Sequence, residues 1–170
     1  LPIDINDMTG LEKVNIQTNL ISDIPQILLP NIAEFDVSQN QLDFGSLELN
    51  ANVPGLLYAD QDSIGTGGQI LVQVDQDHPF SINTPGTANN YQWLKDGVAI
   101  SGANSDTFTV TNVRRSQMGD YIVQVTNNAL PDLTLTSRVS ALIAQADISG
   151  TVTLDGSTPM TSGNVLFLKI

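Results

Sequence analysis

NYQWLKDGVAISG at residues 90–102 and MGDYIVQVTN at residues 118–127 decide how this chain is read. In the first, Tyr91 and Trp93 stand two apart and so face the same side of an extended strand, and KDG then turns the chain. In the second, Tyr121 and Val123 repeat that period of two. Around them PGTANN, SGANSD and NNALPD supply further turn signals between short apolar runs. That rhythm predicts many short strands packed as sheets. The chain contains no cysteine, so apolar packing has to do what a disulfide would otherwise do.

YQWLKDG resembles strand C of an immunoglobulin-like sandwich and the turn after it, with Trp93 as the core tryptophan. Tyr121 in MGDYIVQV resembles the tyrosine corner, and Val123 holds the position usually taken by the second cysteine. Counting back, PFSIN puts Ile82 near the first cysteine position. The resemblance implies that Ile82 and Val123 meet across the core against Trp93. Two buried aliphatic side chains at about 1.5–3 kcal/mol each roughly offset a missing disulfide worth about 2–5 kcal/mol. Gln117 departs from the pattern, standing where an Asp would pair with a basic residue. The sandwich is expected over residues 65–146, with IGTGGQ (64–69) as the linker into it.

Residues 1–64 carry a repeat. LEKVNIQTNLI (11–21) aligns with IAEFDVSQNQL (32–42), pairing Leu11 with Ile32, Val14 with Phe35, Ile16 with Val37, Asn19 with Asn40 and Ile21 with Leu42, all at an offset of 21. A further step reaches VPGLLYADQDS, with Gln61 in the Asn place. This pattern resembles the leucine-rich repeat, whose parallel strands point apolar residues inward while the Asn bonds the turn backbone. The resemblance implies the C-terminal end of a solenoid truncated on its N-terminal side. The start at Leu1 likewise suggests an excised segment. Residues 147–170 (ISGTVTLDG, a loop, then GNVLFLK) resemble the opening of a carboxypeptidase-regulatory-like, transthyretin-like β-domain, and are expected to form a short hairpin. The expected fold is therefore mainly β: repeat solenoid, sandwich, hairpin.

Hydrophobic residues make up 41% and charged residues 14%, which suits a β-rich extracellular module. Eighteen acids against six bases give a net charge of −12, a field that repels phosphate backbones and anionic lipid surfaces. Nucleic-acid binding is thus not expected, and no 18-residue apolar run predicts membrane insertion. G-x-S-x-G, H-E-x-x-H and P-loop motifs are absent. The single His78, in VDQDHPF, reads as an exposed turn residue, so no enzyme is expected. Arg114 or Arg115 is expected to pair with an acid near the tyrosine corner.

Candidate binding residues are those alternating with the repeat core: Lys13, Asn15 and Gln17, then Glu34, Asp36 and Ser38. They would line an open sheet face suited to a protein or glycan, with Lys13 and Glu34 close enough for a surface ion pair. The DQD at Asp60 and Asp62 could contribute two calcium ligands; no other cofactor is expected. Ile82, Trp93, Tyr121, Val123, Asn19 and Asn40 are assigned to structure. Open β edges suggest a homodimer. Repeats running straight into such a sandwich resemble large secreted or cell-surface proteins of bacteria, implying adhesion or partner recognition at the cell surface. The alternative is an accessory carbohydrate-binding region of a polysaccharide-degrading enzyme, which would show an exposed aromatic row.

Overall fold

The computed structural model describes residues 5–146 in full and, beyond them, only the strand backbone at 147–148, 152–154, 158–160 and 163–166. The fold is mainly β. It begins with three short strands, β1 (Lys13–Asn15), β2 (Glu34–Asp36) and β3 (Leu56–Leu57), in one parallel sheet of that order. Lys13 pairs with Glu34, Val14 with Phe35 and Asn15 with Asp36, so the register is the 21-residue offset of the sequence. The helix α1 (Phe44–Leu49) lies between β2 and β3 in the chain and is capped by Asp43, whose carboxylate accepts a bond from Gly45 N at 2.9 Å.

Burial along this sheet is uneven. Ile32, Phe35, Val37 and Leu42 are buried, whereas their counterparts Leu11, Val14, Ile16 and Ile21 are only partly so. The second unit is covered on both sides and the first on one, which is what a stack of identical layers dictates at its end. Each turn after a strand passes through a left-handed residue, Thr18, Gln39 and Asp60, again 21 apart. The amide after it repairs the turn. Asn40 donates to the carbonyls of Ile16, Val37 and Ser38 at 2.9–3.1 Å and accepts from Ile21 N at 3.1 Å. Asn19 bonds Ile16 O and Gln17 O at 3.0 Å. Gln61 takes the same part in the third unit, donating to Val37 O and Tyr58 O and accepting from Leu42 N at 3.0 Å. A longer amide thus fills the Asn place and keeps three of the four bonds.

From Gly68 to Ile148 the described chain is an immunoglobulin-like sandwich. Its strands are β4 (Gly68–Gln73), β5 (His78–Ser81), β6 (Asn89–Lys95), β7 (Val98–Ala99), β8 (Thr107–Val110), β9 (Gly119–Asn127), β10 (Leu130–Thr136) and β11 (Ser140–Ile148). The larger sheet places β9 between β6 and the pair β10 and β11, with β7 beyond β6 and β4 lying parallel to β11. β5 and β8 form the second sheet alone. Between the sheets sit Phe80, Trp93, Tyr121, Val123, Val125 and Leu135, each 4% exposed or less.

The core corrects the expectation for Ile82. Phe80, not Ile82, occupies the centre: its ring lies 4.7 Å from Tyr121 and 5.7 Å from Trp93. Phe108 completes the cluster at 6.2 Å from Trp93. Ile82 has the same strand phase but falls past the end of β5, half-buried at the rim beside Gly65. Val123 is fully buried, directly beside Trp93 on the neighbouring strand. An aromatic cluster therefore replaces the disulfide, and each ring pair adds about 0.5–1.5 kcal/mol beyond its buried area. The same strand corrects His78, which opens β5, is half-buried and meets Phe80 edge-on at 4.8 Å. Burial lowers its pKa.

The tyrosine corner is formed by Tyr121 Oη donating to Gln117 O at 2.7 Å. Burial first, and the charge of Asp96 second, push this phenol up to about 12, so it stays a donor at any ordinary pH. Gln117 substitutes for the charged residue of the pattern with neutral bonds, accepting from Arg114 N at 2.7 Å and donating to Thr111 O at 3.1 Å. Arg114 itself pairs with Asp75. Tyr121→Phe is expected to cost about 1–1.5 kcal/mol, the net value of one hydrogen bond, in urea unfolding, and a cost near zero would remove the corner from the set of stabilising contacts.

Two further expectations change. IGTGGQ is not a loose linker: Ile64 bridges Ser137, β4 already begins at Gly68, and a Cβ at Gly67 would lie 2.5 Å from Val139 O. The hairpin at 147–170 lies largely outside the described residues. Its described backbone forms β12 (Val152–Leu154) paired with β13 (Thr158–Met160), while β14 (Gly163–Leu166) joins the end of β11.

Candidate functional site

The outer face of the three-stranded sheet gathers the predicted binding residues only in part. Lys13, Asn15 and Gln17 are exposed, and Glu34 and Ser38 are half-buried. Lys13 Nζ bonds Glu34 Oε2 at 2.9 Å, and this partner's hydrogen bond and charge raise the lysine pKa. Asp36 is a correction. At 7% exposed it is not available to a partner, because it lies on the central strand between Asn15 and Leu57 and turns its carboxylate onto Ser38 N (3.0 Å) and the Ser38 hydroxyl. Asn15 does the same one unit earlier, accepting from Gln17 N at 3.1 Å. Both are Asx-turns at the strand end. The sequence reading missed Leu57, which is 49% exposed in the same row. Thr18 and Gln39, joined at 2.7 Å, extend the polar surface.

Asp60 and Asp62 both lie where the chain leaves the third strand. Asp60 is the third of the left-handed turn residues. Asp62 accepts from Ser63 N at 2.7 Å and from Arg138 at 3.3 Å. Among the described residues no three histidine, aspartate or glutamate side chains gather as metal ligands would.

The strongest electrostatic feature lies between the repeat unit and the sandwich, and no motif announced it. Glu48, on α1, points its carboxylate into the loop before β6. Thr87 N reaches both oxygens at 2.8 Å, Thr87 Oγ1 bonds Oε2 at 2.9 Å, Ala88 N bonds Oε1 at 3.0 Å, and the buried Asn127 amide donates to Oε1. Burial alone would raise the Glu48 pKa. The N–H of Thr87, the Asn127 amide and the other donors outweigh it and hold the group at about 2. Gly86 permits the approach: its φ is +125°, and a Cβ there would lie 2.9 Å from Phe44 Cβ. The signal in the sequence was the Pro-Gly of PGTANN, read only as a turn.

No protein-family model matches the chain, and neither does any curated protein. Among solved structures, the N-terminal four Ig domains of Dscam1 isoform 7.44 match at 21% identity and a TM-score of 0.39, over 45% of this chain and 18% of that one. Isoform 4.44 gives the same values. Drosophila OTK, extracellular domains 3–5, matches at 14% identity and a TM-score of 0.38, over 49% of this chain and 36% of that one. This chain thus aligns with less than two thirds of the length of either. Among the described residues no helix is long and apolar enough to cross a membrane.

Proposed function

We propose that this chain is a non-enzymatic recognition segment of a secreted or cell-surface bacterial protein. In this reading residues 1–64 are leucine-rich repeat units that meet a protein or glycan, and the sandwich is a rigid spacer. The observation that carries it is the row of exposed polar side chains, Lys13, Asn15 and Gln17, flanked by the exposed Leu57, on a sheet whose register is fixed by the 21-residue period. Mixed polar and apolar groups on a rigid surface suit a macromolecular partner. The aromatic side chains of the described residues are buried or half-buried, which gives the accessory carbohydrate-binding alternative no exposed row.

The test is a pull-down and glycan-array screen with the whole chain, with and without calcium. Selective binding should fall at least about tenfold, or 1.4 kcal/mol, in Lys13→Ala or Leu57→Ala. Dependence on calcium would assign Asp60 and Asp62 to it. Binding unaffected by those variants, or none at all, leaves the segment a connector. Self-association through the open edge of β1 belongs to the same reading, and a monomer at every concentration in light scattering removes it.

A further inference from the structure

Two adjoining depressions run along the junction between the repeat unit and the sandwich, sharing Gly65, Asn83 and Arg138. The first, of about 250 Å³, is walled by Gln41, Asp43 and Asp62 on one side and Asn83, Thr84 and Arg138 on the other. The second, of about 300 Å³, is lined by Phe80, Ile82 and Trp93 together with Ser81, Ser137 and Ser140. Thr84 is 8% exposed, and its Oγ1 is the one buried side-chain polar atom without a hydrogen-bond partner among the described residues. Native structures rarely leave such a group unpaired, and one that persists asks for a partner.

We infer that this groove is a binding site for a neutral saccharide of one or two rings. The wall chemistry selects for charge and shape. A bare anion would face Asp43 and Asp62, in a chain already at −12. A bare cation would face the Arg138 guanidinium, which is held loosely by Asp62 at 3.3 Å and Ser63 O at 3.4 Å. Amide, carboxylate and guanidinium groups side by side offer alternating acceptors and donors, which is what adjacent ring hydroxyls need. The apolar side chain of Ile82, with the edges of the nearly buried Phe80 and Trp93, suits the C–H face of a ring. The volumes fall at or below the small end of ordinary ligand pockets, which fits a sugar and not a larger ligand. Thr84, whose Oγ1 is unpaired, lines the same depression and has a donor and an acceptor to offer an occupant. This site is separate from the repeat face and does not depend on it.

The test is ¹⁵N-¹H NMR titration of the whole chain with free glucose, galactose, mannose, xylose and N-acetylglucosamine, each to about 50 mM, a range that covers millimolar affinities. At least one sugar should give saturable shifts at the side-chain amides of Gln41 and Asn83 and at Arg138 Nε. The apparent affinity should fall at least about fivefold in Asn83→Ala and in Thr84→Val, and Thr84→Val should melt no lower than the wild type because it removes an unpaired hydroxyl. Asn83 is exposed, so its variant tests the site even if Thr84→Val perturbs folding. Shifts equal to those from glycerol, shifts confined to Lys13, Asn15 and Gln17, or no shift at the junction with any of the five sugars would overturn the inference.

Discussion

Asn40→Ala is expected to lower the unfolding free energy by about 2–3 kcal/mol, while Asn19→Ala at the equivalent place costs less than about 1 kcal/mol. The two residues share a sequence context, a turn and two hydrogen bonds of the same kind. What differs is burial: Asn40 is 2% exposed and Asn19 is open to solvent. Truncating Asn40 strands Ile21 N and takes one of two donors from each of the Ile16, Val37 and Ser38 carbonyls, in a layer covered on both sides, whereas water replaces the Asn19 amide. Asn40→Asp should be at least as damaging at neutral pH, because a carboxylate would then face those carbonyls. Urea denaturation of the three variants checks the ordering. Equal costs for Asn19→Ala and Asn40→Ala would show that the turn, and not the buried layer, sets the energy.

Glu48 supplies the second large effect. Glu48→Gln should cost about 2–3 kcal/mol at neutral pH, less than the full shift implies because the carboxylate keeps part of its solvent contact. The folded-state pKa lies below the ordinary 4.5, so the contribution is fully present above that value. It fades as pH falls from about 5 towards 2, where the folded protein also takes up the proton. The stability difference between wild type and Glu48→Gln should therefore narrow over that interval. A difference that stayed constant with pH would show that the charge contributes nothing to the contact.

Much of the fold was legible because period carries physical meaning. Strict spacing of 21 fixed the parallel register, and Trp93 with Tyr121 located the sandwich core. Ile82 was misplaced because counting along a strand gives phase but not where the strand ends, and Phe80 and Ile82 share a phase. Asp36 was assigned to an open face for a related reason. Alternation tells which side of a sheet a residue occupies, but a central strand is also covered by its neighbours' side chains. His78 was read from the Pro after it, which permits a turn but here continues an edge strand. The Glu48 contact could not be read at all. It joins a helix to a loop 39 residues away through backbone N–H groups, and these have no letter in a sequence.

The parallel pairing of β4 with β11 also fixes how the sandwich bears load. Six residue pairs, from Gly68 with Ser140 to Gln73 with Gln145, join the strand by which the chain enters to the strand by which it leaves. A pull applied through the preceding repeats and the following residues drags these two strands in opposite directions along their length. The backbone bonds are then sheared together and do not open one after another like a zip. A cysteine-free module threaded in this way resists tension through its entry and exit strands, with the aromatic cluster behind them outside the line of force.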